Sequence, residues 1–102
     1  MGYFQINTTI KAVGNINVVN PVALWRPIPN YTSNDVQYQF LFFATLSDID
    51  SMDFFEPKNF DVLINDDSLD LTNSANWANM RATAETLLEA ITEIGDNVTY
   101  VV

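Results

Sequence analysis

The stretch Val36–Leu46, VQYQFLFFATL, constrains this chain more than any other. Val36, Tyr38, Phe40, Phe42, Ala44 and Leu46 fall on one side. Gln37 and Gln39 open the other side, which then turns apolar at Leu41 and Phe43. Period-two alternation of aromatic and β-branched residues predicts a strand. Apolar residues on both of its sides predict a strand covered from both faces. A chain of 102 residues is a single domain, 1–102, with a core of modest size. Covering material is therefore scarce.

The clearest helix is predicted over about residues 74–94. At 100° per residue, Trp77, Met80, Ala84, Leu87, Leu88, Ile91 and Ile94 gather in one apolar arc. Trp77 is read as core. Thr72, Asn73 or Ser74 can cap the start, and Gly95 is placed to end the helix. Glu85, Glu89 and Glu93 lie opposite the arc at i, i+4, i+8, where like charges repel by a few tenths of a kcal/mol per pair. The last two also sit toward the negative end of the helix dipole. They read as a solvated outer face or as a docking stripe for a basic surface.

Residues 3–13 alternate as a half-buried strand, and 16–19 continue as a second. Gly14-Asn15 between them predicts a two-residue hairpin with Gly14 at the positive φ of a type II′ turn. Residues 21–35 hold Pro21, Pro27 and Pro29, which predict a loop or extended arm, since proline opposes both helix and central-strand pairing. That arm carries Trp25, Arg26 and Ile28. Trp and Arg are frequent interface anchors, and a proline-stiffened segment loses less entropy on docking. The competing reading tucks Trp25 under its own sheet. Ser47 and Asp50 have capping-box spacing for a short helix to about Phe55. Residues 59–65 and 97–102 predict the last two strands. The order strand, helix, strand allows a right-handed βαβ crossover or an antiparallel return. Together these elements predict an α+β fold: a roughly five-stranded mixed, mostly antiparallel sheet with one long amphipathic helix on one face.

There is no cysteine and no histidine, so disulfides, thiolate metal sites and the commonest general base are excluded. No nucleophile motif or phosphate-cradling glycine loop is present, and the reading assigns no catalytic, metal or cofactor residue. Asp48, Asp50, Asp53 and Glu56 form one acidic run, and Asp66, Asp67 and Asp70 another. Neither has the spacing or the glycine of a calcium loop, so both read as caps and turns. Asn7, Asn30 and Asn97 begin glycosylation sequons that an Asn- and Thr-rich chain produces by chance. The formal net charge is −9, with 4 Lys+Arg against 13 Asp+Glu. Direct contact with nucleic acid or anionic lipid needs a basic face that four cations can hardly make. No run approaches the roughly 20 apolar residues of a membrane span, and no secretory signal is visible.

These features predict a non-enzymatic structural or assembly protein, docked in an oligomer or larger complex with copies of itself or other subunits. The expected contacts are Trp25, Arg26, Ile28, Leu41, Phe43, Glu85, Glu89 and Glu93. By composition alone the chain points to virion components, such as the capsid, neck or tail proteins of bacteriophages, located in the virion or host cytoplasm. The alternative is a small acidic inhibitor that mimics nucleic acid and blocks a basic site on a partner.

Overall fold

Strand β5 (Asp35–Phe43) lies inside the sheet of the computed structural model, which describes residues 2–68, 70–73 and 79–102. Its burial alternates as its sequence predicts. Val36, Tyr38, Phe40 and Phe42 are buried, while Gln37, Gln39 and Leu41 are half-buried. A second nine-residue strand, β4 (Val22–Asn30), runs antiparallel along its whole length, with Arg26 opposite Gln39 at the midpoint. β1 (Tyr3–Ile6) pairs with the start of β4, and β8 (Val98–Val101) pairs with β1. Two short strands share the other edge of β5: β6 (Phe54–Phe55) beside Phe42–Phe43, and β7 (Leu63–Asp66) beside Val36–Gln39. β2 (Thr9–Ala12) and β3 (Ile16–Val19) form a separate hairpin. The domain is thus α+β, with a mostly antiparallel sheet and one helix among the described residues. The described residues form eight strands rather than five: the predicted strand 3–13 breaks at Asn7-Thr8 into β1 and β2, which pair in different sheets, the proline segment forms β4, and Phe54–Phe55 add β6.

Where the prolines of 21–35 predict a loop or arm, the chain forms β4. The reason is parity. Ile6 N–H donates to the Pro21 carbonyl at 2.9 Å, so the odd residues of β4 turn their backbone groups toward β1. Phe40 N–H donates to Val62 O at 2.8 Å, so the even residues of β5 turn away from β4. The odd residues of β5 therefore face β4, opposite its even residues. Pro21, Pro27 and Pro29 are all odd. Their missing N–H groups fall on the side away from β5, and past Ala23 no described strand pairs on that side. The prolines remove no bond from the β4–β5 ladder, and Pro27 and Pro29 guard a free edge.

The α-helix is α1, Met80–Glu89, shorter than the predicted 74–94. Residues 74–78, with Trp77 and the candidate cap Ser74, lie outside the described residues. At the other end the hydrogen bonds tighten. Ala90 N–H still reaches Thr86 O at 3.0 Å, but Ile91 bonds Leu88 and Ile94 bonds Ile91 across three residues. Gly95 then takes φ +60, the left-handed stop its position predicts. These turns carry Ile94 into the core, where it joins Met80, Ala84 and Leu88 of α1.

Smaller corrections have local causes. The β2–β3 turn has three residues, Val13–Asn15, because Asn15 (φ +61) takes a left-handed conformation as readily as Gly14 (φ +90). The capping box sits two residues early: the Asp48 carboxylate accepts from Thr45 N–H at 3.1 Å and Thr45 Oγ at 2.9 Å. It opens only a 3₁₀ turn, Leu46–Ile49, and Phe54–Phe55 pair with β5 instead of extending a helix. The pairings also make β7 and β8 parallel, with β5, β4 and β1 between them. The helical crossover therefore spans the sheet without joining neighbouring strands.

The core lies between α1 and one sheet face. Phe4 meets Tyr100 edge-on at 5.1 Å, and Phe42 meets Phe60 at 5.5 Å. Phe60, Val62 and Ile64 pack on this core together, as their shared parity predicts. Three outcomes follow. Leu88→Ala should cost about 2–5 kcal/mol in urea unfolding, the range for an aliphatic deletion at a fully buried site. Pro27→Ala and Pro29→Ala should each change stability by less than about 1 kcal/mol. Arg26→Pro, one residue out of parity, should cost about 1–3 kcal/mol or more by leaving a β5 carbonyl without its donor.

Candidate docking surface

Strand parity also fixes the second face of the sheet. The even residues of β4 and the odd residues of β5 present Leu24, Arg26, Ile28, Gln37, Gln39, Leu41 and Phe43 away from α1. β6 and β7 add Phe54 and Leu63 in register with Phe43 and Gln39. The 3₁₀ turn Leu46–Ile49 borders this side at Tyr3 and Leu24, and Val22 and Phe43 are buried there. Leu24, Arg26, Gln39, Leu41 and Phe54 line a depression of about 540 Å³, open to solvent. Phe54 is 57% exposed and Leu63 45% exposed. Tyr3, Leu46, Ile49 and Asp50 continue the surface at one end, and Asp35, Tyr31 and Asn65 at the other.

Arg26 holds the middle of this face. Its Nη2 donates to Gln39 Oε1 at 2.5 Å. The ion pair among the described residues is elsewhere, between Arg81 and Glu85 at 3.8 Å. No ion pair among the described residues involves Arg26, and the register that sets Leu63 opposite Gln39 puts exposed Asp61 on the same side, level with Leu41. At the far end, the Asp35 carboxylate accepts from Ser33 Oγ at 2.8 Å and Asn65 Nδ2 at 3.2 Å.

The expected contact residues divide between several places. Arg26, Ile28 and Leu41 share the open face. Trp25 does not. It turns to the core side, where its ring stacks on Tyr38 at 6.2 Å and lies 6.4 Å from Phe4, although it borders the depression. Phe43 has the parity of the open face but is fully buried, with Phe54 packed edge-on at 6.5 Å. It is shielded by its own chain, and Phe54 is the ring that meets solvent. Phe54 was hidden from sequence reasoning by the helix predicted to Phe55.

The three glutamates form no common stripe. Glu85 pairs with Arg81, whose guanidinium stands 4.7 Å from the Tyr100 ring centre. Glu89 is half-buried at the last residue of α1. Glu93 lies beyond the helix and ties the molecule together: its Oε1 accepts from the Lys11 amide and from Asn59 Nδ2, each at 3.2 Å. The acidic runs behave as turn chemistry. Asp66 accepts from the Ser68 amide and hydroxyl, and Asp70 from those of Thr72. The Thr72 bonds hold the Asp70 carboxyl below its ordinary range. Among the described residues no group of three acidic side chains is placed to hold a metal ion. No described helix is long and apolar enough to cross a membrane.

The chain matches no family model, no curated protein and no solved structure. The surface must be interpreted from its own chemistry.

On the core side, the Tyr38 hydroxyl is buried with no hydrogen-bond partner among the described residues. The Thr83 hydroxyl near it spends its proton on Asn79 O at 3.1 Å. Burial raises the phenol above its ordinary 10.0, Thr83 pulls it back, and the Asp66 carboxylate adds to the rise. Below pH 10.0 both folded and unfolded chains hold this proton, and the shift contributes its full stability. As pH climbs past that value the unfolded chain ionises first, and the contribution is lost on the way to the folded pKa. Tyr38→Phe should leave stability at pH 7 within about 1 kcal/mol of the parent, since it removes an unbonded polar atom. It should also make the stability loss between about pH 9 and 11 shallower, as read by urea midpoints across that range.

Proposed function

We propose that this chain is a structural or assembly subunit, held in an oligomer or larger complex through the open face of its sheet. The observation that supports this is the mismatch between that face and the rest of the molecule. In a chain of net charge −9, the strip through Leu24, Ile28, Leu41, Phe54 and Leu63 is largely apolar, with Arg26 and Asp61 as the charges its register places there. Continuous apolar surface of this kind, rimmed by polar groups, is characteristic of protein contacts. The Asn- and Thr-rich, Lys-poor composition agrees with a virion component, such as a capsid, neck or tail protein of a phage. The acidic-inhibitor reading has less support. It needs carboxylates gathered on one surface, whereas Asp35 stands on the open face and Glu85 on the helix across the sheet from it.

Protein isolated from its native source should travel in a complex larger than one chain, by light scattering. Leu63→Asp and Phe54→Asp, both at exposed positions, should release a folded monomer from that complex with its unfolding midpoint nearly unchanged. A native protein that is already a free monomer would overturn the reading.

A further inference from the structure

The β2–β3 hairpin is covered on one edge only. Lys58 N–H donates to Lys11 O and Val13 N–H to Glu56 O, both at 2.9 Å, so residues 56–58 close the outer edge of β2. The odd residues of β2 therefore face outward and its even residues face β3. The register sets Ile10 opposite Val18 and Ala12 opposite Ile16, so in β3 it is Asn17 and Val19 that turn their backbone groups outward. Asn20 N–H, which reaches Thr8 O at 3.1 Å, keeps the same parity. Asn17 and Val19 are exposed, and their edge pairs with no described strand.

The other free edges among the described residues are guarded. β4 has Pro27 and Pro29 past its pairing with β1. β6 stands between Asp53 and Glu56, and β7 follows Asp61 and ends in Asp66. β8 follows Asp96, and the Arg81 over its Tyr100 ring is paired with Glu85. Two copies meeting at β6, β7 or β8 would oppose carboxylates, which costs affinity. β3 has no lysine, proline or bulge. Residues 1–34 hold no Asp or Glu, although the chain carries 13. Ile16 is 61% and Val19 65% exposed, one on each face of the hairpin.

We propose that β3 pairs antiparallel with β3 of a second copy about a two-fold axis at Val18, joining two hairpins into one four-stranded sheet. Backbone geometry selects the register. Left-handed Asn15 (φ +61) and Asn20 (φ +49) turn the chain at both ends, so the usable edge is Ile16–Val19. Setting Asn17 against Val19 of the second copy engages the amide and carbonyl of both residues on both edges. An axis at Asn17 would leave Val19 facing the left-handed Asn15. An axis at Val19 would leave Asn17 facing Pro21, which has no N–H and whose carbonyl is taken by Ile6. The axis at Val18 also aligns the side chains. On the inner face Ile10 and Val18 of one copy meet Val18 and Ile10 of the other in a single β-branched row. On the outer face Lys11 and Asn17 continue into Val19 and Thr9, so the two Lys11 side chains fall in different rows. The occupant is a second copy because this edge completes itself, and because its acid-free strip is where copies of a −9 chain can meet without opposed carboxylates. The inference goes beyond the assembly reading, since it uses an edge rather than the open face and holds whichever partner that face takes. A contact between identical edges is isologous and closes at a dimer. With four residues on each side it is weak in free solution, and it acts most between copies that an assembly already holds close.

The chain has no cysteine, so one engineered thiol reports the register. Val18 meets its own counterpart as a non-hydrogen-bonded pair, with Cα atoms about 4.5 Å apart and within reach of a disulfide. The two Ile16 residues are offset by about 13 Å along the strands. In a glutathione redox buffer at about 100 µM chain, Val18→Cys should accumulate about tenfold more disulfide dimer than Ile16→Cys. Accessibility alone predicts the opposite order, since Ile16 is exposed and Val18 half-buried. Val19→Pro removes an outward N–H and none of the β2–β3 bonds. Added to Val18→Cys it should abolish the excess, with circular dichroism and thermal unfolding showing the fold kept. Val19→Lys, which supplies the charge that commonly guards such an edge, is the second variant and should act in the same direction. Adding Phe54→Asp to Val18→Cys should leave the excess unchanged. Equal cross-linking at positions 16 and 18 would overturn the proposal. So would an excess at 18 that survives Val19→Pro and Val19→Lys, or one that Phe54→Asp removes. If the native complex still depends on Phe54 after any of these results, the assembly reading stands without this edge.

Discussion

The antiparallel ladder between β4 and β5 is the constraint on which the rest of the structure depends. It joins nine residues to nine without a bulge, from Val22 opposite Phe43 to Asn30 opposite Asp35. Once that register is set, period two assigns every side chain of both strands to a face. Ala23, Trp25, Tyr38, Phe40 and Phe42 go to the helix; Leu24, Arg26, Gln39 and Leu41 go to the other side. A slip of one residue would expose Phe40 and Tyr38 together and bury Arg26 and Gln39. The two outcomes differ so much in apolar burial that the register is strongly specified. The short strands β6 and β7, the crossover and α1 then take the places that remain.

The sequence was legible where periodicity and burial agree. The alternation of β5, the shared face of Phe60, Val62 and Ile64 and the stop at Gly95 could be read from it, but the break of residues 3–13 into β1 and β2, which pair in different sheets, could not. The helix was legible in its buried residues Met80, Ala84, Leu88 and Ile94, but not in its end. Apolar spacing continues past Glu89 as smoothly as before it, and only the tightening of successive hydrogen bonds separates the α-helix from the turns that follow.

β4 was misread for a reason that the sequence also contained. Counting prolines argues against a strand, whereas their spacing argues for one. Pro21, Pro27 and Pro29 are separated by even numbers, so all of their missing donors fall on one side of an extended chain. The candidate surface was legible in half. Leu41 could be placed on an uncovered side from alternation, but Ile28 was read as part of an arm, and Trp25 and Phe43 could not be sorted without register. Trp25 takes the parity of Phe40, and Phe43 is covered by a ring eleven residues away. Glu93 was beyond reach, because its partners Lys11 and Asn59 come from distant segments.

A chain this small with two separate apolar surfaces and an unguarded edge would ordinarily be at risk of indiscriminate aggregation. Its charge pattern limits that risk. The long-range field of a protein at −9 keeps copies apart in most orientations. The edge of β4 beside the open face is also closed to pairing by Pro27 and Pro29. The β4 edge is thus blocked by proline, whereas the outer edge of β3 pairs with no described strand and carries no such block.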